Sequence, residues 1–354
     1  MSNRKKILLI QTAFLGDVVM TTPLIRALHA IFPDDEIDIV TIPQSANLFE
    51  HDPAIHKVHL FNKGKFIQKI FSFVSLARTL KRSGYDIGIS IQSSLTSSFL
   101  MLLARIPKRA GFARQKFLTI PVSHKKGMHM RDRYLTLAQP FSSESFNRET
   151  SLHISESEKK RALNILNSAA QRHAKRIGIA PGSVWPTKRW PEAYFIELVS
   201  TLDKNGYQLY FIGGGNEREL CQRIIERSNA RALNLAGELS ILESAALINE
   251  LDIVITNDSA PLHIANAMKT DVVAIFGPTV RRFGCYPYRD HDIMMEIDLY
   301  CRPCAKHGGR SCPEKHFRCM LDIKPEAVYE AIVHRLSKGS ESKGAEKKSV
   351  TNGD

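Results

Sequence analysis

The stretch Leu251 to Thr279, LDIVITNDSAPLHIANAMKTDVVAIFGPT, limits the fold more than any other part of the chain. Its apolar, β-branched opening as far as Thr256 suits a strand buried on both faces, as strands of parallel sheets are. Asn257, Asp258 and Ser259 interrupt it, Pro261 fits a first helical turn, and the apolar spacing from Leu262 to Met268 carries a helix. Asp271 to Phe276 is a second apolar run, closed by Gly277 and Pro278. Strand, tight turn, helix and strand in succession make an α/β fold the expectation. In open α/β sheets ligands gather beyond the carboxyl ends of the strands, where helix N-termini offer N–H groups and the positive end of a dipole. Two readings stay open here: an anion seated at Asp258 to Leu262, or an ordinary capped turn.

The same alternation runs through the rest of the chain. Ile7 to Ile10 is a short strand, Gly16 permits a turn, and the spacing from Asp17 onward predicts a single helix ending before Pro33. Asp17 near that helix start is either a cap, worth about 0.3–1 kcal/mol through the dipole, or a general base on the ligand edge of the sheet. Further strands are expected at 37–42, 58–61 and 86–91, with a helix over 66–80. After a helix predicted from Glu156 to Gln171 the opening pattern restarts: Lys175, Arg176, a strand at 177–180, then Pro181 and Gly182. Two similar beginnings imply two doubly wound domains. The boundaries expected are 1–172, 173–323, a C-terminal helix at 324–337 and a disordered polar tail at 338–354.

The second half offers several polar candidates. Lys188 and Arg189 precede a helix expected over 192–202, and a lysine beside helix-terminal amides suits a diphosphate. The run GGGNERE brings Glu217 to the end of a strand, where an acid can hold ribose hydroxyls, although neither a Walker nor a GxGxxG spacing is present. Cys301, Cys304, Cys312 and Cys319 have spacing that fits either a structural zinc or reduced thiols packing an irregular segment.

Composition narrows the partners. The formal charge is +13, which calls for something anionic. Basic residues crowd the segment from Arg105 to Arg133, among them Arg109, Arg114, Lys116 and Arg131, with Asp132 the only acid. That segment is a solvated loop or a face for a phosphorylated or membrane-embedded acceptor. With no zinc finger or RNP-type reader, nucleic acid is not expected. No apolar run approaches the roughly 20 residues of a membrane span, and no signal-peptide pattern precedes the first strand. A cytoplasmic protein, soluble or peripheral on the inner membrane, is the expectation.

LGDVVMTTPLIRAL, PGSVWPTKRWP, NDSAPLHIANAM and the cysteine segment from CRPC to CM occur in this order. Together they make the chain similar to the bacterial ADP-heptose:lipopolysaccharide heptosyltransferases of glycosyltransferase family 9, nearest the heptosyltransferase II branch. The likeness runs from Lys5 to about His334. It implies a GT-B fold, with two Rossmann-like domains facing a cleft, an acceptor-binding first domain and a donor site mainly in the second. It also implies inverting transfer of heptose from ADP-L-glycero-D-manno-heptose to the Kdo-bearing inner core on lipid A, at the cytoplasmic membrane face, with no metal or other cofactor required.

By the same likeness Asp17 is the base and Lys188 neutralises the departing ADP. Asp258 contacts donor sugar or phosphate, Ser259, Ala260 and Leu262 present backbone amides to the diphosphate, and His263 and Glu217 are further donor contacts. Arg109, Arg114, Lys116 and Arg131 are the acceptor-side candidates. Two other readings stay open: a glycosyltransferase using another nucleotide sugar, or a non-catalytic nucleotide or nucleic-acid binder.

Overall fold

Ile7, Leu8 and Leu9 are wholly buried, as are Ile253, Val254 and Ile255. Runs hidden on both faces are what a parallel strand with helices on either side requires. The computed structural model describes residues 4–64, 66–168 and 174–350. The chain divides after Ser155 into two compact units.

In the first unit β1 (Lys6–Ile10), α1 (Leu15–Val19), α2 (Thr22–Ile31), β2 (Glu36–Thr41), β3 (Lys57–Leu60) and α3 (Phe66–Ser83) are followed by β4 (Ile87–Ser90), α4 (Leu95–Leu103), β5 (Lys108–Phe112), β6 (Ile120–Val122) and α5 (Met130–Leu135). The sheet order is β3-β2-β1-β4-β5-β6, and its pairs are parallel, with Leu8 between Asp38 and Gly88.

The second unit contains α6 (Glu156–Ser168), β7 (Arg176–Ala180), α7 (Glu192–Lys204), β8 (Gln208–Phe211), α8 (Arg218–Ser228), β9 (Ala232–Asn234) and α9 (Ile241–Asn249). β10 (Ile253–Asn257), α10 (Ala260–Ala267), β11 (Asp271–Phe276), β12 (Ile293–Glu296), α11 (Arg318–Leu321) and α12 (Pro325–Val350) complete it. Its order, β12-β11-β10-β7-β8-β9, repeats that of the first unit when read from the opposite edge. In each sheet the unit's first strand lies beside its fourth, and the order reverses there, which is the switch point where α/β folds bind ligands. The expected α/β class, with two Rossmann-like doubly wound domains, is therefore what the chain adopts.

Several boundaries differ from expectation. The division falls after Ser155 rather than after residue 172, because α6 packs on α9 of the second unit. Arg161 fixes that packing, pairing with Glu243 at 3.2 Å and donating to the Glu238 carbonyl at 3.1 Å. The end of the helix expected to reach Gln171 lies outside the described residues. The helix expected from Asp17 to Pro33 is two: Pro23 has no N–H, and its ring excludes the carbonyl four residues back, at Val19, where α1 stops. α12 continues to Val350 instead of ending near 337, over a Lys-, Glu- and Ser-rich segment compatible with helix, while 351–354 lie outside the described residues.

Candidate functional site

In the first unit the turn after β1 is built around Gln11, which is wholly buried. Its Nε2 donates to Thr21 Oγ1 at 2.8 Å, and Thr21 Oγ1 donates to the Asp17 carbonyl at 2.9 Å. This chain of bonds holds the short α1 at the carboxyl end of the sheet. Asp17 lies in its first turn, half-buried. Tyr134 of α5, itself 2% exposed, donates its hydroxyl to Asp17 Oδ1 at 2.9 Å. A hydrogen bond from a buried phenol both orients a carboxylate and favours its charged form. Tyr134 was not among the residues singled out in the sequence, since 117 residues separate it from Asp17.

Near the same sheet edge a pocket is lined by Thr12, Lys63, Lys69, Ser94, Thr96 and Ser97 over an apolar floor of Ile10, Phe61 and Leu100. Lys63 Nζ donates to the Thr12 carbonyl at 2.6 Å. Burial, then the neighbouring Lys69, pushes the Lys63 ammonium below its usual pKa. Two ammonium groups and several hydroxyls around one space suit an anion, which would relieve their repulsion. Sequence reading also missed these lysines, because one follows the end of β3 and the other lies in the first turn of α3, without any recognisable spacing.

The acceptor-side candidates behave differently from one another. Arg109 braces the chain: its Nε donates to the Phe117 carbonyl at 2.7 Å and its Nη1 to the Ile106 carbonyl at 2.6 Å. Two of its nitrogens are therefore engaged in shaping the loop, and the residue is half-buried. Arg131 pairs with Asp132 at 3.5 Å and is largely buried. Arg114 and Lys116 are exposed. The segment is also not one loop, because β5 and β6 run through it, and β5 opens on Lys108 and Arg109, which hides its strand character.

The second unit holds the other group of candidates. Lys188 ends a tight turn before α7, and its Nζ lies 2.6 Å from Asp258 Oδ2. Both side chains are buried, at 13% and 6% exposure. Thr279 donates its hydroxyl to the same Asp258 oxygen at 2.6 Å. Arg302 donates to the Thr279 carbonyl at 2.8 Å and to the Gly277 carbonyl, fixing the loop after β11 that carries Thr279. Asp258 is thus the counter-ion that holds Lys188 in place. A buried ammonium needs such a partner, and the pair leaves the lysine preorganised for an arriving anion.

Asn257 locks this arrangement to the sheet. Its Nδ2 donates to the Pro181 carbonyl at 2.8 Å, and its Oδ1 accepts from the Trp190 N–H at 3.0 Å. One wholly buried amide therefore joins the ends of β7 and β10 to the start of α7. Ser259 precedes α10 in extended geometry, so it and Ala260 open the helix where no earlier turn supplies acceptors. Leu262 departs from expectation: its N–H donates to the Ser259 carbonyl at 3.2 Å, closing a tight turn, and is therefore not presented to a ligand. His263 is 5% exposed within α10.

Glu217 accepts from the Gly214 N–H at 2.9 Å. Its carboxylate also lies over Gly182, where an added Cβ would fall 1.7 Å from Oε1. Glu217 therefore sits at the carboxyl ends of β7 and β8, with its carboxylate against Gly182, where any side chain would displace it.

The segment that carries the cysteines also supports the Lys188 turn. Gly309 donates to Thr187 Oγ1 at 2.7 Å and accepts from the Thr187 N–H at 3.2 Å, strapping the Lys188 turn. Cys301, Cys304, Cys312 and Cys319 are free thiols. Burial raises the pKa of Cys304 and pushes Cys319 up to about 11, which keeps both thiols protonated near neutral pH. Among the described residues no three His, Cys, Asp or Glu side chains converge on a point that could hold a metal. Of the four, Cys319 is buried in α11, Cys301 and Cys312 are half-buried and Cys304 is exposed.

Residues 73–316 match the model of glycosyltransferase family 9 (heptosyltransferase). The lipooligosaccharide heptosyltransferase 2 of Campylobacter jejuni is 28% identical, over 94% of this chain and 98% of its own. The lipopolysaccharide heptosyltransferase 2 of Escherichia coli K12 is 27% identical, over 92% and 97%. Among solved structures, a family 9 glycosyl transferase from Veillonella parvula superposes with a TM-score of 0.83 at 24% identity, over 96% of this chain and 99% of that one. The Escherichia coli ADP-heptose heptosyltransferase II superposes with a TM-score of 0.76 at 25% identity, over 95% and 99%. With two Rossmann-like units, a carboxylate at the first sheet edge and a buried lysine at the second, this chain belongs to glycosyltransferase family 9, the heptosyltransferases.

Proposed function

We propose that the protein moves heptose from ADP-L-glycero-D-manno-heptose to the Kdo-bearing inner core of lipopolysaccharide, with inversion. The observation that carries the donor half is the buried Lys188–Asp258 pair at 2.6 Å, beside the start of α10. As the C–O bond to ADP breaks, negative charge grows on the diphosphate. Lys188 and the first amides of α10, at Ser259 and Ala260, oppose that charge from fixed positions, which is the economical way to lower such a barrier. Glu217 is the ribose contact in this reading and His263 a more distant donor contact. Asp258 acts on the donor through Lys188.

Asp17 supplies the other half. It takes the proton of the acceptor hydroxyl as that oxygen attacks the anomeric carbon, and Tyr134 keeps its carboxylate in the required rotamer. Lys63 and Lys69, with Arg114, Lys116 and Arg131, suit the carboxylates and phosphates of a Kdo- and phosphate-bearing acceptor. In this reading the acceptor is lipid-borne and the protein works at the cytoplasmic face of the inner membrane. Among the described residues no helix is long and apolar enough to cross a membrane.

The test is incubation with ADP-heptose and either Kdo-lipid A or its heptosylated form, read by mass spectrometry. The reading predicts that one acceptor, the heptosylated one by its likeness to type 2 enzymes, gains a single heptosyl unit. No mass gain on either acceptor, with ADP-heptose bound, contradicts it.

A further inference from the structure

The first unit carries an apolar surface that the sugar chemistry does not use. On α4, Leu95, Phe99, Leu102 and Leu103 recur at helical spacing on one face, between 36% and 57% exposed. On the neighbouring α3, Ile70, Phe71 and Val74 are exposed as well, Phe71 at 72%. The helices are joined by a stacked pair, Phe73 on Phe99, with centroids 6.1 Å apart and planes 9° from parallel. Phe117 continues the row at 5.7 Å from Phe99. Leaving isolated leucines in water is ordinary, but a contiguous patch of aromatic and aliphatic side chains over two helices marks a surface made to be covered.

Its border identifies what covers it. On α3 the apolar positions 70 and 74 run on at the same spacing into Arg78 and Arg82, with Lys81 beside them, all exposed. Arg105, Lys108 and Lys116 are exposed around the end of α4 and the loop after β5. From Asn62 to Arg131 the chain carries fourteen Lys and Arg residues against one carboxylate, Asp86, a local +13 that accounts for the entire formal charge of the protein. A second copy brought to this face would set like charge against like. A bilayer with anionic headgroups answers both properties together, taking the apolar side chains at the acyl boundary and the basic rim at the headgroups.

We propose that the α3–α4 face docks the first unit onto an anionic membrane surface, with Phe71, Leu95 and Leu103 entering the acyl boundary and Arg78, Lys81 and Arg82 lying on the headgroups. This deepens the reading above, resting on it only for the idea that the acceptor is lipid-borne. Docking itself needs neither donor nor acceptor.

The experiment is co-sedimentation of the full chain with phosphatidylglycerol–phosphatidylethanolamine vesicles and with pure phosphatidylcholine vesicles, at low and high salt. Phe71→Ser/Leu103→Ser and Lys81→Glu/Arg82→Glu are compared with wild type. Thermal melts check folding, and heptosyl transfer is followed on an acyl-free acceptor. Wild type is expected to pellet with the anionic vesicles only. Each double variant is expected to lose about tenfold or more in partition, the first because apolar burial is removed and the second because headgroup attraction is. Melts and transfer to the acyl-free acceptor stay at wild-type level.

Wild type that ignores anionic vesicles overturns the proposal, as does binding indifferent to the Phe71/Leu103 change. A concentration-dependent dimer abolished by that same change also overturns it, by giving the face to a second copy. Vesicle binding that survives while wild type transfers nothing to any acceptor supports docking and strikes only the transferase reading.

Discussion

The two units share a strand order yet carry opposite electrostatics at the same sheet edge. In the first, the turn after β1 presents a carboxylate, Asp17, steadied by the phenol of Tyr134, beside a pocket where Lys63 and Lys69 face one another. In the second, the turn after β7 presents a cation, Lys188, held by the buried carboxylate of Asp258. The frame is duplicated and the loops are not. A repeated scaffold sets where chemistry happens, while a handful of loop side chains sets which half of it each copy performs.

That comparison breaks most severely at the proposed base. Removing its charge is expected to cost about 10²–10⁴ in turnover, the usual worth of general-base catalysis. Lys188→Met should cost less, about 10²–10³ in kcat/KM, with weaker ADP binding by calorimetry. It also leaves Asp258 buried with its main counter-ion gone, so the melt should fall by an amount equivalent to roughly 3–5 kcal/mol. Adding Asp258→Asn should restore much of that stability and none of the activity. Recovery of both would mean that the pair is structural only.

Tyr134→Phe sharpens the first unit's side of the comparison. Loss of a hydrogen bond to a charged group, worth about 1.5–3 kcal/mol, predicts a fall in kcat of about tenfold or somewhat more, with KM for both substrates unchanged. The effect should vanish in an Asp17→Asn background, and an additive loss there would show that Tyr134 acts through something else.

The smallest effect separates the units by pH. Asp38 of the first unit is buried, which alone would raise its pKa, but hydrogen bonds from His59, Tyr85 and His56 outweigh burial and hold it below 3.8. Its contribution is present above that pH and is lost as pH falls further. Asp292 of the second unit is pushed up to about 6 by burial, partly offset by Arg289. Between about 6 and 4 the folded form binds more protons than the unfolded one, so the second unit gains stability as pH falls, on the order of 2 kcal/mol. Asp292→Asn should flatten the melting temperature over that range, and an unchanged slope would remove Asp292 as its source.

Much of this was legible in the sequence because β1, β7, β10 and β11 are nearly all apolar and stop at Gln11, Pro181, Asn257 and Gly277, so the sheet edges and the residues on them could be placed. β5 and β12 were not, because Lys108 and Arg109 open one and the other is a half-exposed edge strand with weak patterning. The Asp17–Tyr134 and Lys188–Asp258 pairs span 117 and 70 residues of chain, and no local pattern encodes such meetings. The Leu262 amide was misassigned for a related reason: only coordinates reveal that its N–H is already engaged.

The division of labour stands or falls on one titration followed by one turnover. ADP-heptose is titrated calorimetrically into Asp17→Asn, and acceptor is then added to the same sample for a single-turnover measurement of heptosyl transfer. The account predicts a dissociation constant close to that of wild type and transfer slowed by a factor of about 10²–10⁴. Transfer at the wild-type rate from equally well-bound donor would show that the acceptor proton leaves by another route.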